Sequence, residues 1–594
     1  MKKIIASILL LCSFTGFANV WEVKKDGSGD FTRIQDAIDN AAVGDTVLVW
    51  PGTYYENLDL KGKGITLGSL LLTTGDQGYK HTTVVDGGKV GRCITITSNE
   101  DHVTITGFTI QNGSTDDYGG GIRTIYPTTI KNCIFKDNFA LKAGGGISCA
   151  WETSYLLLEN CSIFNNYTYG PGGGVIVGYE GTIVFDSTNL NSVYLNYADR
   201  GCDFHKANQT ELTIKLDTST VLYPDTYFYS SIDQYGYQLD DIAIISSYGV
   251  IDPTDNDLYV NPQTGDDSND GTSWETPLRT IAFANSKIAV DSSDKNTIYL
   301  ANGTYSDTTN GEKFPVNIRP FVDIVGQSRD GVVLDGNRNV FIFKGNNSIT
   351  DFSLQRMTLK GGPLIDYEDY ESGVWKTLAF LYTHNDRFLL DSMVFKESVA
   401  EYAMGILTYF QADSSVVQNC VIKDNRGGFG IRTVSPDDGI HFVNNCIFTN
   451  QQPDDSVPPN RPAMGQAFDS GNYGITVLQN CLFFDNPKYG AERWIYGDSY
   501  YINCTFADNS WMNNSNFIFT GDANTNIYNC IAYNLYESPI AISTVEWQKM
   551  FHSHLNIYNS LIEGGEESIS MGSSCWHHDT VWCHVYYDST NIDA

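Results

Sequence analysis

The sequence predicts an all-β protein of two tandem right-handed parallel β-helices, each with a short N-terminal capping α-helix. Two observations carry this prediction. An asparagine followed by a cysteine ends a short apolar run seven times, two times in the first half of the chain and five times in the second. Within each half the pairs follow at steps of roughly 23 to 35 residues, and a period of that length is typical of a solenoid. An opening segment with an amphipathic helix occurs twice, near the start and near the middle of the chain. The seven pairs are Asn132-Cys133, Asn160-Cys161, Asn419-Cys420, Asn445-Cys446, Asn480-Cys481, Asn503-Cys504 and Asn529-Cys530.

Each period has the composition of strands and turns, with short runs of Val, Ile, Thr, Phe and Tyr between Gly, Asn and Asp. The segment from Gly474 to Asn486 is typical of a strand, a corner at Asn480, a second strand and a turn. We expect the corner asparagine to adopt the left-handed backbone conformation and to hydrogen-bond its equivalent in the next coil. We expect the cysteines to stack in the core, because their side chains run parallel and disfavour disulfides, with an occasional disulfide as the alternative.

The two openings divide the chain. The segment Thr46–Tyr54 recurs as Thr297–Tyr305, and each copy follows a short amphipathic helix. We predict that Asp30 caps the first helix and Thr276 the second. The predicted boundaries are a signal peptide at 1–18, a first β-helix at 19–245, a linker at 246–257 and a second β-helix at 258–594.

The N-terminus has the pattern of a secretory signal peptide, with Met1–Lys3 before the apolar run Ile4–Leu11 and a small-residue cleavage site that ends at Ala18. We therefore expect a secreted, extracellular or bacterial cell-surface protein, without a transmembrane helix. The 594 residues carry a net charge of −33, which repels nucleic acid. We also expect a monomer, and a natural chain that continues past Ala594 in the second unit.

The two openings carry a family resemblance. The segments Asp26–Ile38 and Pro51–Glu56 resemble the start of pectin methylesterases and of other pectate-lyase-like β-helix proteins. The segments Tyr259–Thr272 and Pro277–Ile281 resemble the cap of bacterial extracellular β-helix proteins, some of which are polysaccharide lyases. The resemblance implies the β-helical architecture and no particular activity.

Glycine-rich turns carry a second resemblance. The segments Gly119–Ile122, Gly144–Ile147 and Gly172–Val175 are similar to repeats of polymorphic outer-membrane proteins, which are bacterial surface adhesins. The Asp-Phe-Ile-Phe-Gly and Gly-Arg-Pro-Trp segments of pectin esterases are absent, as are the Gly-His-Gly and Arg-Ile-Lys segments of polygalacturonases. Both activities are therefore disfavoured.

Candidate ligand-binding residues lie on strands that follow glycine-rich turns. Arg123 and Arg432 occupy matching Gly-Ile-Arg-Thr segments, and strand alternation turns Arg432 outward. An outward arginine can anchor an acidic sugar, while aromatic rings can carry the sugar face. The alternative is an arginine that only pairs with neighbouring acids. The candidate binding residues are Arg123, Tyr126, Trp151, Tyr179 and Tyr409, and the candidate catalytic residues are Arg432, Asp437 and Asp438.

Two further clusters allow more than one interpretation. Asp266, Asp267 and Asp270 have the composition of a calcium loop, although a turn-forming cluster of Asx residues is the favoured interpretation. Cys575 and Cys583 lie among five histidines, and we expect a disulfide between them, with a zinc site as the alternative. No cofactor is expected other than a candidate calcium ion.

These observations predict a secreted or cell-surface protein that binds extracellular polysaccharide or cell-surface glycans, or mediates adhesion. One alternative is a polysaccharide lyase, which would use a base and a cation or arginine to neutralise a uronate carboxylate. The other alternative is a passive structural spacer.

Overall fold

The computed structural model shows a parallel β-solenoid, which confirms the predicted all-β parallel architecture. Short strands follow one another around each coil, and the strands of each main sheet pair in parallel with their equivalents in neighbouring coils. The structure describes residues 18–96, 102–149, 154–178, 180–207, 211–232, 241–337, 342–345, 351–361, 367–368, 375–376, 381–384, 387–398, 405–410, 414–426, 429–434, 439–452, 466–470, 474–486, 492–493, 497–509, 518–521, 524–533, 540–543, 552–562, 569–571 and 582–593.

The part of the chain up to Gly249 forms four parallel sheets. Sheet A consists of Val20–Val23, Thr46–Val49, Thr66–Ser69, Val103–Thr106, Thr128–Lys131, Tyr155–Glu159 and Thr182–Phe185. Sheet B consists of Gly52–Tyr55, Thr83–Asp86, Thr109–Gln111, Ile134–Lys136, Ser162–Phe164, Asn191–Tyr194, Leu212–Ser219 and Ile242–Gly249. Sheet C consists of Leu58–Asp59, Ile94–Ile96, Ile122–Thr124, Ile147–Cys149, Val175–Val177, Phe204–Lys206 and Tyr229–Ser231. Sheet D consists of Ser114–Thr115, Phe139–Ala140 and Tyr167–Thr168.

The part of the chain from Leu258 forms four further parallel sheets. Sheet E consists of Leu258–Val260, Asn296–Leu300, Val322–Gly326, Phe352–Gln355, Arg387–Asp391, Ser414–Gln418, Ile440–Asn444, Ile475–Gln479, Asp498–Ile502, Asn524–Tyr528, His552–Tyr558 and Trp582–Tyr587. Sheet F consists of Gly303–Tyr305, Val332–Asp335, Thr358–Lys360, Val394–Lys396, Val421–Lys423, Ile447–Thr449, Leu482–Phe484, Thr505–Ala507, Ile531–Tyr533, Leu561–Ile562 and Ile592–Asp593. Sheet G consists of Val316–Asn317, Phe343–Lys344, Leu381–His384, Gly405–Phe410, Phe429–Val434, Gln466–Ser470 and Glu492–Arg493, and sheet H of Ile518–Gly521, Ile540–Ser543 and Ile569–Met571. Tyr367–Glu368 and Trp375–Lys376 form an antiparallel pair.

In the described part of the chain, four short helices accompany the sheets, at Ile34–Asn40, Leu71–Thr74, Tyr79–Thr82 and Ile281–Lys287. We name the first α1 and the last α2. Helices α1 and α2 both lie at predicted amphipathic segments. Both bury their apolar faces, and Ile34 of α1 and Ile281 of α2 are fully buried.

The predicted helix caps are wrong. Helix α1 begins after Arg33 and not at Asp30, whose carboxylate accepts a hydrogen bond from the backbone of Glu22. The first two amides of α1 donate to the carboxylate of Glu56, at 3.0 and 2.9 Å. A carboxylate from the following strand region can satisfy these orphan amides and interact favourably with the positive end of the helix, so no local cap is needed.

Helix α2 repeats this arrangement. Its first two amides donate to Glu312 at 2.8 and 3.0 Å, and its N-cap residue is Thr280 rather than the predicted Thr276. Glu312 is fully buried, and burial raises the pKa of its carboxyl to about 7.

The corner asparagines adopt the predicted conformation. The asparagines of all seven Asn-Cys pairs have a positive φ, between 49° and 56°. The Nδ2 atom of Asn160 donates to Oδ1 of Asn132 at 2.7 Å, and the Nδ2 atom of Asn445 donates to Oδ1 of Asn419 at 2.7 Å. The seven cysteines that follow are buried and carry free thiols, so their predicted role in core packing is confirmed.

A second row of amides, which was not predicted, lies inside the first set of sheets. Asn138 donates from Nδ2 to Asn166 at 2.9 Å, and Asn166 donates in the same way to Asn196 at 3.0 Å. The row ends at the carboxylate of Asp203, which accepts from Asn196 Nδ2 at 3.0 Å and from the Thr220 hydroxyl at 2.6 Å. Asp203 is fully buried, and burial raises its pKa to about 7.

The two sets of sheets contact each other through polar groups. Asn317 donates from Nδ2 to the carbonyl oxygen of Ala198 at 2.8 Å, and Lys344 forms an ion pair with the buried Asp199. Phe283 of α2 packs against both hydrophobic cores. Within the described ranges, no helix is long and apolar enough to cross a membrane.

We predict that Asp203→Asn stabilises the protein above neutral pH. The native state holds a proton on Asp203 up to about pH 7, whereas an unfolded aspartate releases its proton near pH 3.8. The contribution of this group to the free energy of unfolding therefore decreases as the pH rises from about 4 to 7. Asparagine carries no charge and continues the amide row, so the variant should melt a few degrees above the wild type at pH 8 and close to it at pH 5.

The matched control is Asp186→Asn. Asp186 lies at the surface and is half-buried, and hydrogen bonds from the amides of Asn189 and Thr188 lower its pKa, so this variant should change little between pH 5 and 8. An Asp203→Asn variant with the same pH dependence of melting temperature as the wild type would show that this carboxyl is not held protonated.

Candidate functional site

Glycine-rich turns precede successive strands of sheet C. Gly119 has a φ of +70°, and the equivalent Gly144 in the next coil has a φ of +68°. A Cβ atom on Gly120 would lie 2.3 Å from the carbonyl oxygen of Phe139, so only glycine allows the coils to approach this closely. These turns fix the position of the side chains on the strands that follow them.

The strand Ile122–Thr124 presents Arg123 on the outer side of the solenoid. Ile122 and Thr124 are fully buried, whereas Arg123 between them is half-buried, as expected from strand alternation. Arg123 pairs in register with Thr95 in the preceding coil and with Ser148 in the following coil.

Three cationic side chains meet at one carboxylate beside this strand. Arg123 Nη1 lies 2.5 Å from Oδ2 of Asp117, Arg92 Nη2 lies 3.4 Å from the same oxygen, and Lys142 Nζ lies 3.4 Å from Oδ1. We call Arg92, Asp117, Tyr118, Arg123 and Lys142 the cationic cluster. Its three cationic side chains share the carboxylate of Asp117, and the neighbouring Asp116 also interacts electrostatically with Arg92.

Aromatic and backbone groups hold the cluster in place. The Tyr118 ring centroid lies 5.5 Å from the Arg123 guanidinium and 5.3 Å from Lys142 Nζ, which is cation–π geometry. Arg92 donates from Nε to the carbonyl oxygens of Tyr118 and Gly119, at 2.9 Å each. Burial and the neighbouring charge of Arg123 lower the pKa of Arg92. Arg92 therefore braces the turn, while Arg123 and Lys142 are the members that can reach a ligand.

Two buried polar atoms at the cluster have no hydrogen-bond partner among the described residues. Arg123 Nε and Ser148 Oγ are buried and unpaired, and their residues are neighbours in register on the outer face of sheet C. Unsatisfied buried polar groups cost free energy, so such a pair suits a site where an oxygen of a water or ligand completes the bonding.

A cleft of about 490 Å³ adjoins the cluster. Gly91 and Asp116 line it, and each is the chain neighbour of a cluster residue. Its lining combines apolar surface with hydroxyl groups, a carboxylate and an ammonium group, and its volume lies in the range of small-molecule sites. The lining residues are Lys89, Val90, Gly91, Ser114, Thr115, Asp116, Phe139 and Leu141.

The other predicted binding residues do not join this cluster. Tyr126 is half-buried and packs against the core of the first set of sheets. Trp151 and Tyr179 lie outside the described residues. Arg432 lies on sheet G, opposite Thr408 and Asp469 in the neighbouring strands, and Tyr409 pairs with Thr433.

The predicted catalytic acids and the predicted disulfide are not tested. Asp437, Asp438 and Cys575 lie outside the described residues, and Cys583 lies on the strand Trp582–Tyr587. These assignments stay predictions.

The three aspartates of the candidate calcium loop accept hydrogen bonds within their own loop. Asp266 accepts from the amide of Ser268 at 2.9 Å, and Asp270 accepts from the Thr276 hydroxyl at 2.6 Å. Asp267 accepts from the amide of Thr280, next to the start of α2, at 3.0 Å. In the part of the chain that the structure describes, no group of three His, Cys, Asp or Glu residues is arranged to hold a metal ion. The calcium assignment stays a prediction.

Comparisons with known proteins give limited information. Residues 263–362 match a family model described as Protein of unknown function (DUF1565). No curated protein matches the chain. Among solved structures, ORF18 of Geobacillus virus E2 has a TM-score of 0.32 and 14% identity over 56% of this chain, which spans 60% of that protein.

Two carbohydrate-active proteins also have similar structures. Pectin methylesterase PemA from Erwinia chrysanthemi has a TM-score of 0.26 and 13% identity, over 57% of this chain and 93% of that one. The PL6 family alginate lyase AlyGC has a TM-score of 0.31 and 10% identity, over 97% of this chain and 99% of that one. Values this low do not indicate what the present chain binds or catalyses.

We predict that Asp117→Asn destabilises the protein and creates a site for added anions. Removal of the carboxylate leaves three cations close together, which should lower the free energy of unfolding by roughly 2 kcal/mol at low ionic strength. Sulfate should raise the melting temperature of this variant more than that of the wild type, because it replaces the lost negative charge.

The control for this experiment is Asp330→Asn, which removes a carboxylate that pairs with the exposed Arg329. Exposed ion pairs contribute little to the free energy of unfolding, so this variant should resemble the wild type both at low ionic strength and in sulfate. An equal response of the two variants to sulfate would contradict a concentrated positive charge at the cluster.

Proposed function

We propose that the protein is a secreted or cell-surface β-helix that binds extracellular polysaccharide, and that the cationic cluster and its adjoining cleft form a binding site. The observation that carries this proposal is the convergence of Arg92, Arg123 and Lys142 on the single carboxylate of Asp117. A chain with a net charge of −33 concentrates positive charge here, beside a tyrosine ring and an open cleft.

The chemistry of the cluster favours an acidic sugar. Arginine donors in a fixed planar arrangement match a carboxylate or sulfate group, and an aromatic ring can pack against the apolar face of a pyranose. The acidic remainder of the surface repels such a polymer at long range, so binding would depend on the contacts at this site.

We also propose that the two sets of sheets are two tandem β-helices with α1 and α2 as their caps. Among the described strands, each sheet takes its members from only one side of the segment between Gly249 and Leu258. Secretion and surface adhesion rest on the signal-peptide pattern and on the repeat resemblance.

We predict that wild-type protein binds an acidic polysaccharide such as a polyuronate, and that Arg123→Gln weakens this binding about tenfold. The loss of one charge-assisted contact is worth roughly 1.5 kcal/mol, and raising the salt concentration should weaken the wild type more than the variant. Affinity electrophoresis in gels that contain the polysaccharide measures both effects.

Arg329→Gln is the matched control, because Arg329 is an exposed arginine beside a single aspartate and lies on the second set of sheets. Binding that Arg123→Gln leaves unchanged would remove the cluster from the proposal. The appearance of ultraviolet-absorbing unsaturated products during the assay would favour the lyase alternative over simple binding.

A further inference from the structure

Three successive strands of sheet E present apolar and amide side chains on their outer face. Side chains alternate along its strands, so that His441 and Val443 are fully buried while Phe442 between them is 43% exposed. Because the strands pair in register, outward residues at equivalent positions form rows that run from coil to coil.

An apolar row runs through the middle of this face. Val416, Phe442 and Val477 are consecutive partners in register, and Leu389 and Tyr500 continue the row on either side. These five positions span five successive strands of sheet E. The row is therefore about 19 Å long at the usual strand spacing.

Amide side chains form a parallel row beside the apolar one. Gln418, Asn444 and Gln479 are register partners in the same three strands, two residues beyond the apolar positions. The row on the other side includes Ile440 and Ile475, which are 38% and 37% exposed. The three strands Ser414–Gln418, Ile440–Asn444 and Ile475–Gln479 contain no Asp, Glu, Lys or Arg, and we call their outer surface the neutral face.

We propose that the neutral face binds an uncharged, linear polysaccharide. The whole chain carries 70 acidic and 37 basic residues, so a three-strand outer surface without any of them is suited to a ligand without charge. Apolar and aromatic side chains pack against the C–H faces of sugar rings, while amides donate to and accept from sugar hydroxyls. The combination of an apolar row and an amide row fits both surfaces of one sugar chain.

The repetition of the face supports a polymeric ligand. Each coil repeats the same pair of outward residue types at a constant spacing, so successive units of a linear polymer along the solenoid axis meet equivalent contacts. A second copy of this chain is a poorer occupant, because each copy carries a net charge of −33. This site is separate from the cationic cluster and does not depend on the function proposed for it.

Binding to uncharged oligosaccharides tests the proposal. The wild-type full chain is titrated with hexamers of β-linked glucose, xylose and mannose, and Phe442→Asn is compared with it by calorimetry. We expect binding of at least one hexamer, insensitive to salt, and a loss of about tenfold in affinity in the variant because an aromatic contact is removed.

Ile531→Asn provides the matched control. Ile531 is 42% exposed on sheet F, so this substitution removes an apolar side chain of similar exposure from a different face. Melting curves of all three proteins establish that they are folded. The control variant should keep the wild-type affinity.

Three outcomes would overturn the proposal. They are the absence of binding to every uncharged hexamer, equal affinities of Phe442→Asn and the wild type, and a wild-type dimer in sedimentation that Phe442→Asn converts to a monomer. The last result would assign the face to self-association. An Arg123→Gln protein that still binds the uncharged hexamer, but no longer binds a polyuronate, separates this site from the cationic cluster.

Discussion

Parallel stacking of coils in register is the constraint on which the rest of the structure depends. It places each side chain next to its equivalents in the neighbouring coils, so a favourable contact between like residues is repeated along the solenoid. Phe448, Phe483 and Phe506 show this in the core, with ring centroids 4.6 and 4.8 Å apart and nearly parallel planes. Asparagine suits such stacking because an amide donates to the coil on one side and accepts from the coil on the other.

The same constraint makes an ionised carboxylate in a row of buried amides destabilising. A carboxylate can accept from its neighbour but cannot donate while it is ionised, and in the dry interior its charge is poorly solvated. Asp203 stands at the end of the row Asn138–Asn166–Asn196, where its carboxyl accepts from the last amide of the row, and burial favours its uncharged form. Its position at the end of the row therefore suits a side chain that has no further amide beyond it.

Much of the fold could be predicted from local sequence, because a corner needs a left-handed residue at a fixed place and asparagine supplies it. The alternation that places Arg123 outside and Ile122 inside could be predicted for the same reason. The helix caps could not, since Glu56 and Glu312 lie more than twenty residues beyond the amides they bind. Insertions of variable length between coils hide such partnerships, because register is fixed by three-dimensional stacking and not by a constant sequence interval.

Part of the cationic cluster could have been predicted from the sequence. Alignment of the turns at Gly119 and Gly144 places Asp117 opposite Lys142, and the structure confirms this register through the bridge between Tyr118 and Ala143. An opposite-charge pair in adjacent coils was therefore visible in the sequence, whereas the reach of Arg92 around the turn was not.

In the stacked architecture, the side chains that stabilise the fold are different from those that can bind a ligand. Inward side chains and corner asparagines form the contacts between coils, so a substitution at these positions affects the packing of the neighbouring coils. Outward rows are under no such demand, and each one can differ in chemistry from the next. The cationic cluster arises where turns of unlike sequence meet, and it is confined to one place. The neutral face arises where outward residues of like chemistry recur, and it extends along the axis. The cationic cluster on the first set of sheets and the neutral face on the second therefore differ in chemistry and extent, although both rest on parallel strands stacked in register.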